Sequence, residues 1–190
     1  TANASATRQC KAWTVNMYAG LARFKGMTSD GFAMVMCHEL GHHLGGFPRI
    51  KGIFGTNSWA SNEGQADYFA TMKCFRRVFE NEDNTAALSS VSVPEAVTAA
   101  CSKTFKSQKE IALCERAGMT SKVLADTLYA LGRQGSPSRE PATAPSFTTP
   151  SAADVSTTDN HHPLAQCRLD TYMAGAICGI SYTEDFSQDN

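Results

Sequence analysis

The chain lacks any apolar run near the ~20 residues that a membrane-spanning helix needs, so no transmembrane segment is expected. It lacks an excess of either charge: 17 Lys and Arg stand against 18 Asp and Glu, for a net charge of −1. No basic run points to nucleic acid, and no polybasic amphipathic stretch points to a lipid surface. It has no C-x-x-C pair, which removes the commonest cysteine-based metal and redox motifs. No segment repeats. Proline is scarce except in residues 133–160, which hold four of the seven. That stretch is rich in Ser and Thr, with Phe147 as its one aromatic, and predicts a loop or tether. Residues 1–7 are small and polar and read as a processed start, so a signal peptide is not expected within this chain.

The length of 190 residues suits one domain, 1–190, with room for a sizeable core. Seven cysteines exceed cytosolic habit and favour an oxidising, extracytoplasmic setting, periplasmic or secreted. Spacing does not fix their pairing. The odd count leaves at least one outside a bridge, and Cys37, inside an apolar helix next to His38, is the expected free thiol. A bridge from Cys74 would brace the helix that carries it. Trp13, Val15, Met17 and Ala19 alternate with Thr14, Asn16 and Tyr18, which predicts a strand. Residues 47–59, rich in Gly and aromatics, read as a loop or short hairpin, and 80–84 as a solvated acidic turn. Pro94 opens a helix carrying Cys101, and 108–117 forms another around Cys114. Val123, Leu124, Thr127, Leu128 and Leu131 give an amphipathic helix that ends at Gly132. A last helix is expected at about 163–176, with Pro163 in its first turn.

The five histidines fall into two short clusters, and the first reads His38-Glu39-Leu40-Gly41-His42. On a helix, positions i and i+4 share a face one turn apart, so two imidazoles can address one metal ion. Glu39 projects beside them, where it can take a proton from a metal-activated water. Residues 32–44 are apolar on nearly every side apart from this motif, as in a buried helix. Buried His and Glu need partners, and a metal supplies one. Thr28, Ser29 and Asp30 offer N-caps, and Gly45-Gly46 offers a stop. His43 faces away from the pair.

The third ligand decides the class. A third histidine in the metzincin position would stand at 48, where this chain has Pro48. A glutamate on a second helix is the alternative. Glu63 and Asp67, in Asn62-Glu63-Gly64-Gln65-Ala66-Asp67-Tyr68-Phe69-Ala70, are again i and i+4. Glu63 can complete a His2Glu site for one Zn2+ per chain. Asp67 can accept the other ring N–H of a ligand histidine and fix its tautomer. Ser61 or Asn62 caps this helix, and Tyr68, Met72, Phe75 and Phe79 form its apolar stripe.

Glu63-Gly-Gln-Ala-Asp67-Tyr-Phe-Ala70 resembles the E-x-x-A-D-x-x-A motif of the gluzincin family that includes HtpX and the CAAX prenyl protease, with soluble periplasmic relatives such as BepA. His162-Pro163-Leu-Ala-Gln-Cys-Arg168 is similar to that family's H-P-x-x-x-x-R motif, and residues 13–21 resemble the strand before its zinc helix. The matches run in the family's order across most of residues 13–178. The spacing from His42 to Glu63 is nearer to that of thermolysin. The resemblance implies an α+β, mostly helical, zincin-like (minigluzincin) fold, with a small sheet whose edge strand precedes the zinc helix. It implies a zinc-dependent endopeptidase acting on a peptide or protein substrate.

In that reading Glu39 is the general base, and a donor must face the oxyanion from outside the metal shell. His162 is the first choice, with Arg168 helping to fix the site or bind that charge. Asn16, Met17, Tyr18 and Ala19 would pair with an extended substrate. Two alternatives use the same ligands: a zinc-stabilised binding or inhibitory module without peptidase activity, and a zinc hydrolase of non-peptide substrates. Glu39, which zinc affinity does not require, weighs against the first.

Overall fold

The protein is described here from a computed structural model, which covers residues 1–52, 54–134, 140–152 and 161–184. About half of the chain is helical, and two small antiparallel hairpins complete an α+β fold. Strands β1 (Ala4–Gln9) and β2 (Ala12–Met17) form the first hairpin, in register from Ala4↔Met17 to Gln9↔Ala12. Helices α1 (Ala19–Ala22) and α2 (Ser29–Leu44) follow. The second hairpin, β3 (Arg49–Lys51) and β4 (Asn57–Ser61), overlaps the expected 47–59 loop or short hairpin, runs two residues past it and connects α2 to α3 (Glu63–Phe69). The α3 helix runs on through a π-helical stretch (Ala70–Phe75) into α4 (Arg76–Phe79). Helices α5 (Asn84–Ala87), α6 (Glu95–Thr104), α7 (Gln108–Arg133) and α8 (Ala165–Ala176) complete the described chain.

Several boundaries depart from expectation. Strand β1 (Ala4–Gln9) begins inside residues 1–7, which read as a processed start. Small residues with little apolar alternation give a weak strand signal, and pairing with β2 makes the strand. The predicted strand stops at Met17: Tyr18 caps α1, and Ala19 is its first residue. The helices expected at 108–117 and up to Gly132 are one helix, α7, which passes through Gly118. A side chain there would crowd Val97 and Met173, so the glycine marks close packing and not a break. Pro163 precedes α8, whose first N–H, on Ala165, is accepted by the carboxylate of Glu140 at 3.1 Å. The turn after α4 is more than a solvated loop: Asn84 is buried and accepts from Arg116, which also pairs with Glu82 and Asp30. The described part of the 133–160 segment lies along α8, through Ser146 on Gln166 and Ser151 on Asp170.

The main core gathers Met34 and Val35 of α2, Phe75 and Phe79, Leu113 and Leu124 of α7, and Tyr172 of α8. Two disulfides lie within the fold, Cys37–Cys74 and Cys101–Cys114. The first corrects the assignment of Cys37 as the free thiol. Where α2 crosses the π-helical stretch, the two Cα atoms are 5.5 Å apart, within bridging reach. Among the described residues, no helix is long and apolar enough to cross a membrane.

Candidate metal centre

Helix α2 presents two imidazoles because its ends are fixed and its face is buried. Thr28 Oγ1 accepts from Gly31 N at 3.0 Å, and Gly45 closes the helix onto the Gly41 carbonyl. His38, Glu39 and His42 are all buried. Gly41 lets α3 approach, because a Cβ there would come within 2.7 Å of Ala66 O. On α3, the Asn62 side chain accepts from Gln65 N at 2.9 Å and sets Glu63 at the first helical position.

These elements bring His38, His42 and Glu63 together, with one potential ligand atom from each lying within 4.8 Å of the others. Each imidazole is oriented by a bond behind it. His38 Nδ1 lies 2.7 Å from Asp67 Oδ1, and His42 Nδ1 lies 2.8 Å from the Ser61 carbonyl. Both acceptors require an N–H at Nδ1, which leaves a lone pair at each Nε2. Those atoms stand 3.4 and 3.6 Å from the Glu63 oxygens. With both imidazoles neutral, acceptors would face the Glu63 carboxylate, an arrangement that calls for a cation, either a proton on His38 Nε2 or a metal ion. The donor set fits a metal ion: two imidazoles and a carboxylate that can hold one.

Behind the ligands, Asp67 is fully buried and is held by Arg168 through Nε to Oδ2 at 2.8 Å and Nη2 to Oδ1 at 2.6 Å. Arg168 Nη2 also donates to the Tyr172 hydroxyl at 3.2 Å. Burial alone would raise the Asp67 carboxyl, but the charges of Arg168 and His38 hold it below its ordinary value. Burial works to lower His38, and Asp67 more than reverses this, so the metal-free imidazole is raised to about 9. His42 is lowered, mainly by burial and then by His38. Glu39 is pushed up by burial, with Glu63 adding to the rise. Its carboxyl is therefore a better proton acceptor than an exposed one.

A cavity of about 130 Å³ opens beside the cluster, lined on its polar side by His38, Glu39, His162, Arg168 and Tyr172. His162 sits at the rim, 66% exposed, with Nδ1 3.2 Å from Glu63 Oε2. Leu124, Leu128 and Leu131 of α7 form the apolar wall, facing Ala2, Asn3 and Ala4. Asn16, Met17, Tyr18 and Ala19, expected to meet an extended substrate, do not line this cavity. The chain beside it is the approach to β1, not β2.

Ser61, Tyr172 and residues 2–4 were missed from sequence. Ser61 acts through its backbone carbonyl, which carries no side-chain signal. Tyr172 stands four residues after Arg168 on α8, a spacing that could have revealed it. The residues at 2–4 had no periodicity to mark them. Comparison with protein-family models, with curated proteins and with solved structures returned no match.

Proposed function

We propose that the protein is a zinc-dependent endopeptidase of the gluzincin type, working outside the cytoplasm on peptide or protein substrates. The observation that carries this reading is the convergence of His38 Nε2, His42 Nε2 and a Glu63 oxygen, next to a buried Glu39 that lines a cavity with His38 and His162. Two disulfides suit an oxidising compartment.

When bound, zinc supplies a Lewis acid and lowers the pKa of water to about 7. Glu39 takes the proton of the attacking water on a carboxylate oxygen and passes it to the leaving amine nitrogen. The raised Glu39 carboxyl suits both steps. His162, at the rim, donates an N–H to the oxyanion that develops on the scissile carbonyl. Arg168 and Asp67 keep the His38 ring in the tautomer that leaves Nε2 free. Glu39 also separates this reading from a zinc-held binding module, which has no use for a buried base.

Digestion of a broad peptide library tests the reading, with a chelator and Glu39→Gln as controls and metal analysis of wild type and Glu63→Ala. Cleavage that needs both zinc and Glu39 is expected, with zinc lost in Glu63→Ala. A zinc-loaded wild type that cuts no peptide would sink the proposal. His162→Ala should keep its zinc and lose kcat by about 10²- to 10³-fold. An unchanged kcat would return the oxyanion role to another group.

A further inference from the structure

Away from the metal cluster, two arginines stand near one another without an acid. Arg8, on β1, lies with its guanidinium carbon 3.8 Å from the Trp13 ring centroid and 5.0 Å from that of Trp59. Its Nη2 donates to the His43 carbonyl at 2.9 Å and its Nε to His43 Nδ1 at 3.2 Å. The His43 ring is stacked between the two indoles, at 5.4 Å from Trp13 and 4.9 Å from Trp59. Arg49 pairs with Ser61 across the second hairpin, two residues along β4 from Trp59. Its Nε is buried without an acceptor. Among the described residues neither arginine forms an ion pair. Arg77, Arg116 and Arg168 each take a carboxylate, and Arg76 takes the carbonyls of Ala176, Cys178 and Ile180. The Arg49 charge contributes to holding Arg8 below its ordinary pKa, after burial.

We propose that Arg8 and Arg49 form a carboxylate-binding site for an acidic residue, or the terminal carboxylate, of a peptide lying along β1. Arg8 uses its Nε and Nη2 on His43 and keeps its other terminal N–H groups, and Arg49 adds a second planar guanidinium, the kind of donor that carboxylates accept in pairs. The indoles and the Phe47 ring, 5.1 Å from the Arg49 guanidinium, hold the cations on apolar faces and limit their hydration. Position favours a peptide. Ala4 lines the cavity beside Glu39, and Arg8 lies four residues further along the same face of β1, about 13 Å away at strand rise. Strand β1 pairs only with β2 in its sheet, so among the described residues no strand occupies its other edge. A peptide with its reacting bond at Glu39 would carry a residue about four positions away onto Arg8. As a substrate subsite this rests on the peptidase reading; as a carboxylate site it does not.

Trp13 and Trp59 are the two tryptophans of the chain, so selectively excited tryptophan emission reports on this site. Three acetylated alanine hexapeptides are titrated into the Glu39→Gln protein: an amide ending in Asp, the same amide ending in Asn, and an all-alanine free acid. The Asp amide, the free acid or both should shift tryptophan emission and bind about tenfold more tightly than the Asn amide. Which acid prevails identifies the source of the carboxylate. Arg49→Gln should abolish the difference and Arg49→Lys restore part of it. Arg49 carries the test, because Arg8→Gln also releases His43. Equal binding of all three peptides, or selectivity that survives Arg49→Gln, overturns the site. Selective binding by a wild type that cleaves nothing would keep the site and remove only its role in catalysis.

Discussion

Asp67 Oδ1 serves two cationic or ring donors at once, His38 Nδ1 and Arg168 Nη2, and so couples a ligand to the buried layer behind it. Its removal should act on metal affinity before anything else. Asp67→Ala is expected to weaken zinc by about 10- to 100-fold in competition with a chelating dye. Undiminished affinity would show that the tautomer is fixed some other way. The same carboxylate sets the proton chemistry of the empty ligand set. His38 is raised from 6.5 to about 9 in the folded, metal-free protein. Its proton therefore stabilises that form fully below about pH 6.5, and the gain is lost as pH rises through about 9. A metal ion bound at this cluster would have to displace this proton, whereas His42, whose pKa is lowered, has none to give. Calorimetry near pH 7.5 in buffers of different ionisation enthalpy should show about one proton released per zinc, falling to none well above pH 9. Two protons released at pH 7.5 would mean that His42 is charged as well.

Among the elements, the crossing of α2 and α3 matters most, and it depends on a residue without a side chain. Gly41→Ala would drive a Cβ to within 2.7 Å of Ala66 O, and backbone cannot yield as a flexible side chain does. The variant should lose roughly 1–3 kcal/mol of stability and part of its zinc affinity together. Denaturant unfolding with metal analysis checks both, and a wild-type midpoint would mean that the helices separate freely. The sequence revealed the contents of these helices well, since two i,i+4 pairs already specify which side chains share a face. It did not reveal how the helices cross, and the partner of Cys37 follows from that crossing alone. The α7 stripe of Leu124, Leu128 and Leu131 was legible as apolar, but not as the wall of a cavity. Gly118, just past the end of the helix expected at 108–117, lies inside α7 and lets α6 and α8 pack close to it.

Over the whole molecule, the site draws on stretches far apart in the chain: 2–4, the α2 and α3 motifs, the α7 wall and the segment from His162 to Tyr172. Local patterns revealed the ligands, whose chemistry restricts residue type, while Ala2, Asn3 and the Arg8–Arg49 pair depend on long-range placement. The cysteines are a global check on the same fold. Two bridges use four of the seven, so titration of the denatured, unreduced protein should find about three thiols per chain, with Cys37 absent from the labelled set. Seven thiols would remove the bridges and the oxidising compartment with them. The Cys37–Cys74 bond also changes what a metal ion would be to this protein. It joins the two ligand-bearing segments one residue from His38, and the ion would join them again at Glu63. With two independent clasps on one pair of helices, undoing either leaves the other closed. Chelation alone should leave an empty cup, still folded and ready to refill, and reduction alone a tethered site. Only the two treatments together let the helices part, so their combined effect should far exceed the sum of the separate ones.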